Sequence, residues 1–167
     1  TKLKDITAGL ETIANKYLNE AFNSYQFGDF KAASDLFEKS VAASATAPLS
    51  KVDTSAMYNA GFTAWMVKDY ARAKNFFEKC LEHKYYYEGG EVFAKLADVY
   101  TNLGDKDASV AILEKGFAQF PQSQSILIGL INYYMEGGKE TDRLFVLINE
   151  AKKNEPDNAS LYYVEGN

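Results

Sequence analysis

The sequence predicts an all-α fold built as an array of antiparallel helix–turn–helix units, and three observations carry that prediction. Short turn signals recur along the 167-residue chain at Gly28-Asp29-Phe30, Lys68-Asp69-Tyr70, Gly104-Asp105-Lys106 and Gly138-Lys139-Glu140, with successive spacings of 40, 36 and 34 residues. Between the turns, apolar residues return at three- and four-residue intervals, the period of a helix face rather than of a strand. Glycine and proline are scarce, at 11 and 3, whereas an all-β chain needs turn residues about every 8–12 positions. With 47% hydrophobic residues the chain also has the apolar content that disordered segments lack. A repeat of this length marks stacked units, none of which buries its apolar face alone.

The first helix is expected over about 5–27, from the 3–4 spacing of Ile6, Leu10, Ile13, Tyr17 and Ala21. Gly9 weakens its start by about 1 kcal/mol. In the first unit Tyr17 and Ala21 precede the turn, and Ala33 and Phe37 follow it. In the second, Met57 and Gly61 precede, and Ala73 and Phe77 follow. The third reads Phe93, Ala97 and Tyr100, then Ser109 and Leu113, closing at Pro121. The fourth is degenerate: Leu127, Ile131 and Tyr134 fit, although Ile131 is large where a small residue is usual. Leu144, Ile148, Ala151 and Pro156 follow, shifted by the extra glycine of Gly137-Gly138.

The repeats are thus expected at about 14–47, 54–87, 90–123 and 124–158, as a single array over 1–167 with an N-terminal helical extension at 5–13. A fifth repeat opens at 159–167, from which the natural protein is expected to continue past Asn167. The first connection, from about Ala45 to Asp53, is some six residues longer than the period and holds the loop signal Ala47-Pro48-Leu49-Ser50. Asp53 or Thr54 can cap the helix that follows. Tyr85-Tyr86-Tyr87 stands where a closing proline is common. Its rings either pack against neighbouring repeats or form an exposed aromatic patch.

The bulky–small pair before each turn and the small–aromatic pair after it resemble the tetratricopeptide repeat. The resemblance covers nearly the whole chain, and three units are in register. It implies a right-handed α-solenoid in which Ala21, Gly61 and Ala97 let the helices of a hairpin approach closely. Phe37, Phe77 and Leu113 fill the gaps between units.

Catalytic chemistry has little support. The lone histidine, His83, and lone cysteine, Cys80, lie three apart on one helix. A cysteine–histidine pair can serve as nucleophile and base, but Cys80 falls where this pattern wants a small packing residue. Two such ligands are too few for zinc, which takes three or four. Asp105-Lys106-Asp107 lacks the glycine and terminal glutamate of a calcium loop, with Val110 and Gly116 in those places. Gly89-Gly90 lacks the following Gly-Lys-Ser/Thr of a phosphate loop. No cofactor is expected, and the chain is read as no enzyme. A net charge of −5, with no basic run longer than Lys152-Lys153, counts against nucleic acid and anionic membranes. No apolar run approaches the roughly 18 residues of a membrane span. The lone cysteine excludes an intrachain disulfide. The start at Thr1 and the many Asn, Tyr and Lys residues lean toward a leader-trimmed bacterial envelope or periplasmic protein over a cytoplasmic one.

The resemblance further implies a concave groove lined by first helices that binds a protein or peptide segment. The groove residues it points to are Phe22, Tyr25, Tyr58, Asn59, Phe62, Trp65 and Met66 in the first half, and Lys95, Asp98, Asn102, Asn132 and Met135 in the second. The first half is aromatic and the second polar. Phe22, Tyr25, Tyr58, Phe62 and Trp65 are expected either to form an apolar anchor pocket for an extended peptide or helix, since aromatic residues and Met are enriched in interface cores, or in part only to pack between first helices or beneath a preceding N-terminal segment. The lysine–asparagine set with which chaperone adaptors of this family hold a C-terminal carboxylate is not reproduced. Leu18 and Phe22 replace two of its members and Glu91 a third, so that only Asn59 and Lys95 fit. Tight binding of acidic chaperone tails is therefore not expected. Two alternatives stand beside the scaffold reading: self-association as a homodimer, and binding of a small ligand or glycan through the aromatic half.

Overall fold

A computed structural model of the chain describes residues 1–138 and 141–154. The turn residues Lys139 and Glu140, the closing Pro156 and the expected fifth repeat at 159–167 lie outside the described residues. Among the described residues the regular structure is helical, with eight α-helices, one 3₁₀ turn and no strand. The chain divides into two compact units, Thr1–Tyr85 and Tyr86–Asn167.

The first unit holds α1 (Lys2–Gln26), α2 (Phe30–Ala45), α3 (Thr54–Met66) and α4 (Tyr70–Glu82). The second holds a 3₁₀ turn (Glu88–Gly90), then α5 (Glu91–Asn102), α6 (Lys106–Gln119), α7 (Gln124–Gly137) and α8 (Thr141–Asn154). α1 starts three residues before the periodicity predicts.

The turns after α1, α3 and α5 share one construction. An aspartate caps the next helix: Asp29, Asp69 and Asp105 accept from the backbone N–H of Ala32, Arg72 and Ala108 at 3.0, 3.2 and 3.0 Å. The backbone N–H of each aspartate reaches back to the preceding helix, at Ser24, Ala64 and Tyr100, at 2.9 Å in every case. That closure needs a left-handed residue just before the aspartate. Gly28 (φ 80°) and Gly104 (φ 84°) supply it at no steric cost, while Lys68 adopts φ 63° with a Cβ present. Asp53 caps α3, accepting from Ala56 N–H at 2.9 Å.

In the first unit α1 packs on α2, α2 on α3 and α3 on α4. Ala21, Ala33, Phe37, Ala73 and Phe77 are all at most 1% exposed. The small residue at Gly61 is a steric requirement, because a Cβ there would lie 2.9 Å from the Phe77 ring. Two buried serines bind helix carbonyls across the packing: Ser40 donates to Ala14 at 2.9 Å and Ser34 to Ala60 at 3.0 Å. Arg72 at the start of α4 bridges Asp35 (2.6 Å) and Glu38 (3.2 Å) of α2. The turns preceding α2 and α4 therefore share one edge of this unit.

In the second unit α5 packs on α6 and α7, and α7 on α6 and α8. Phe93, Leu96, Ile126, Leu127, Leu130 and Leu147 are fully buried. Ile131 is also buried, and the close approach it cannot provide is supplied elsewhere. A Cβ on Gly116 would meet Phe93 at 2.8 Å and Ile126 at 2.9 Å, and one on Gly129 would meet Leu113 at 3.1 Å. On α8, Ile148 and Ala151 are buried as the pattern expects. Glu114 of α6 accepts from the Tyr134 hydroxyl of α7 (2.7 Å) and from both Nε (3.1 Å) and Nη2 of Arg143 on α8. The guanidinium also sits over the Phe117 ring, 5.0 Å from its centroid.

Candidate functional site

First helices carry the candidate site in both units, so their side chains set its chemistry. In the second unit the facing sides of α5 and α7 diverge above α6 and leave an open cleft of ≈ 240 Å³. Ala94, Ala97, Asp98 and Thr101 form the α5 wall; Ser125, Gly129, Asn132, Tyr133 and Glu136 form the α7 wall; Leu113, Ser109 and Lys106 come from α6. The floor is ordered by hydrogen bonds. The Ser109 hydroxyl donates to the Ala97 carbonyl at 2.9 Å and accepts from the Thr101 hydroxyl at 2.9 Å. Gly129 lies against Leu113, so the cleft is apolar below and polar along its walls.

Of the polar residues singled out in the sequence, Asp98 and Asn132 line this cleft. Lys95, Asn102 and Met135 are not among its lining residues. Lys95 forms an ion pair with Glu91 at 3.8 Å, and Glu91 also accepts from the Ser125 hydroxyl at 2.6 Å. Asn102 donates to the Asp98 carbonyl at 2.8 Å, and Met135 is exposed.

The aromatic positions of the first unit do not share one environment. Phe22 and Tyr25 on α1 are 43% and 39% exposed. They stand edge-on to Phe37 (5.1 Å between centroids) and Phe30 (5.3 Å) respectively. Tyr58 is only 5% exposed. It is a core ring, near Phe62 and Phe77 at 6.0 Å each and Tyr85 at 6.3 Å. Its burial fits the packing alternative, not an open anchor pocket. Phe62 and Trp65 are half-buried with centroids 5.9 Å apart, Asn59 is half-buried, and Met66 is exposed. Tyr85 packs on Tyr58, and Tyr86 stacks on Phe93 at 5.4 Å and meets Phe120 edge-on at 5.5 Å. Tyr87 remains 42% exposed.

The sequence reading did not foresee a second cleft, of ≈ 290 Å³, in the first unit. Glu11 and Asn15 of α1, the long connection through Leu49, Lys51 and Val52, and the start of α3 at Thr54 and Ser55 line it. Lys51 reaches across to Glu11 at 3.0 Å. The extra length of the first connection thus forms one wall. The only sequence signal was that length.

Cys80, His83 and Asp105 are not among the lining residues of either cleft. Cys80 is fully buried, and burial pushes its thiol up to about 12, which keeps it protonated and inert. His83 ends α4 on the exposed surface. Asp105 is a helix cap, as its turn position predicts. Among the described residues no helix is long and apolar enough to cross a membrane.

Residues 54–83 and 90–122 match the tetratricopeptide-repeat family. Among solved structures the chain is similar to YrrB, described as a TPR protein with an unusual peptide-binding site, with TM-score 0.65 and 20% identity, covering 88% of this chain and 71% of that one. It is also similar to MamA, with TM-score 0.70 and 19% identity, covering 88% of this chain and 81% of that one. No curated protein matches it.

Proposed function

We propose that this chain, whose residues 54–83 and 90–122 match the tetratricopeptide-repeat family, is a non-catalytic scaffold that takes an extended peptide segment of a protein partner between α5 and α7. One observation carries this reading: an open cleft between two first helices, apolar at Leu113 and Gly129 and polar at Asp98, Thr101 and Asn132. Small-molecule and cofactor sites are typically about 300–1,000 Å³ and largely enclosed. At ≈ 240 Å³ and open to solvent, this cleft suits a side chain and the backbone that carries it. The Asn132 amide offers one donor and one acceptor to a peptide backbone. The description of YrrB as a TPR protein with a peptide-binding site supports the reading for this fold.

The test is selection from a displayed random-peptide library on the wild-type chain and on Asn132→Trp, which fills the cleft from an exposed position. Circular dichroism checks that both are folded. Wild type should enrich peptides that the folded variant does not retain. Equal retention by both would remove the cleft from the account and return attention to the α1 and α3 rings.

Self-association is favoured by a separate observation. Leu3, Ile6 and Ile13 on α1 are 64%, 54% and 47% exposed along one helical stripe. Sedimentation velocity across a hundredfold concentration range (on the order of 1–100 µM, spanning weak-dimer affinities) decides it. A rise in mass with concentration that Ile6→Lys abolishes supports this second reading, and a constant monomer ends it.

A further inference from the structure

We infer that the peptide held between α5 and α7 anchors itself by one aliphatic side chain, leucine, isoleucine, methionine or valine, seated on Leu113 between Ala94 and Gly129; the inference rests on the peptide-binding reading above. The cleft has a joined end and an open one. The Ser125 hydroxyl in the first turn of α7 donates to Glu91 in the first turn of α5 at 2.6 Å, which ties the two walls together there. Thr101 and Glu136, near the last residues of the same two helices, line the other end. A peptide that enters beside them can turn one side chain toward the joined end.

The surface that side chain meets is hydrocarbon. Ala94 and Ala97 present methyl groups on the α5 side, and Gly129 presents bare backbone on the α7 side. A Cβ on Gly129 would lie 3.1 Å from both terminal carbons of Leu113, so the glycine leaves those methyls as a floor. Three hydroxyls also line the cleft, and each has a single proton to give. Ser125 gives its proton to Glu91, Ser109 to the Ala97 carbonyl at 2.9 Å, and Thr101 to the Ser109 oxygen at 2.9 Å. With these protons committed inside the protein, a carboxylate or amide carbonyl driven to the floor exchanges water for hydrocarbon, a cost that an aliphatic group does not carry. At ≈ 240 Å³ the cleft is smaller than a drug-sized site, about 300 Å³ and up, and fits one side chain.

The test selects the displayed random-peptide library on the full wild-type chain and, in parallel, on Ala94→Leu, which fills the floor from α5; circular dichroism checks that the variant is folded. Leucine, isoleucine, methionine or valine should be enriched at one position of the wild-type pool by roughly threefold or more over the input. Changing that residue to alanine in the strongest synthetic peptide should weaken binding to wild type about ten- to fiftyfold, since each buried methylene contributes about fourfold. The alanine peptide should also bind with a less negative heat-capacity change, the mark of less apolar burial. Folded Ala94→Leu should bind the two peptides within about twofold of each other. A wild-type pool that is enriched in peptides but shows no aliphatic preference would overturn this inference and leave the peptide-binding reading standing. An alanine peptide that binds wild type as tightly as its parent, or a folded Ala94→Leu that keeps the wild-type ratio, would do the same. Should Ala94→Leu not fold, the two peptides on wild type decide alone. A pool with no enrichment at all would overturn the peptide-binding reading, and this inference with it.

Discussion

Two glycines in helices of the same unit should respond in opposite directions to the same substitution. Gly9 in α1 has nothing within 4 Å of the position of an added Cβ. Gly9→Ala therefore gains the helix propensity difference alone, about 0.5–1 kcal/mol. Gly61 in α3 would gain the same amount locally, but its Cβ would lie 2.9 and 3.0 Å from two Phe77 ring atoms and 3.3 Å from Phe76 Cβ. Phe77 is fully buried, so its ring has no open space to swing into. Overpacking of this kind costs about 1–3 kcal/mol. With two ring atoms inside normal contact distance, the upper part of that range applies, about 2–3 kcal/mol. The balance for Gly61→Ala is a net loss of about 1–2 kcal/mol. Urea unfolding followed by the fluorescence of Trp65, the chain's only tryptophan, reports on the unit that holds both sites. A Gly61→Ala variant as stable as wild type, beside a Gly9→Ala variant that gains, would refute the claim that close approach fixes glycine at this position.

Three further outcomes follow from the same physics. Lys68→Gly should raise stability by about 0.5–1 kcal/mol in thermal unfolding, because it relieves the φ 63° backbone that Gly28 and Gly104 adopt freely. Phe77→Ala should cost about 3–5 kcal/mol, read as a shift in the urea midpoint. The Asp35 carboxyl is held below its usual value of 3.8, mainly by the hydrogen bond from Arg72. Its contribution is present above pH 3.8, the unfolded value, and is lost as pH falls through the lower folded value. In acid titration followed by circular dichroism, Asp35→Asn should flatten that part of the stability loss. The effect should stay under about 1 kcal/mol, since the pair is only partly buried and is screened by solvent.

The hairpins were legible because their signals are local. An aspartate after a glycine closes one helix and caps the next, and that chemistry needs only adjacent residues. Small residues at Ala21, Ala33 and Ala73 were legible for a similar reason, since a fixed helix spacing brings them to a facing helix. The sequence left Tyr58 open between a pocket and a packing role. α1 packs on one described neighbour and buries only Ala14 and Ala21, whereas α3 lies between α2 and α4 and buries Ala56, Met57, Tyr58, Ala60, Gly61, Thr63 and Ala64. The counterpart of Tyr58 on α1, Leu18, is half-buried where Tyr58 is core, and sequence spacing does not report how many neighbours a helix has. Gly116 holds the place three residues after Leu113 that Cys80 and Ala151 hold after Phe77 and Ile148, whereas Gly129 lies off the repeat positions; both make the close contacts that Ile131 cannot. The cleft walls depend on how far α5 and α7 diverge, which is a tertiary property. Asp98 and Asn132 were therefore singled out with Lys95, Asn102 and Met135, which the structure places elsewhere.

The most direct test of the central claim is a nitrogen–proton correlation NMR titration of the labelled chain with a peptide selected on it. A peptide held between α5 and α7 should shift the amides of Thr101, Gly129 and Asn132 along the two walls. Shifts confined to Phe22, Tyr25 and Met66, with those three amides unmoved, would contradict that claim.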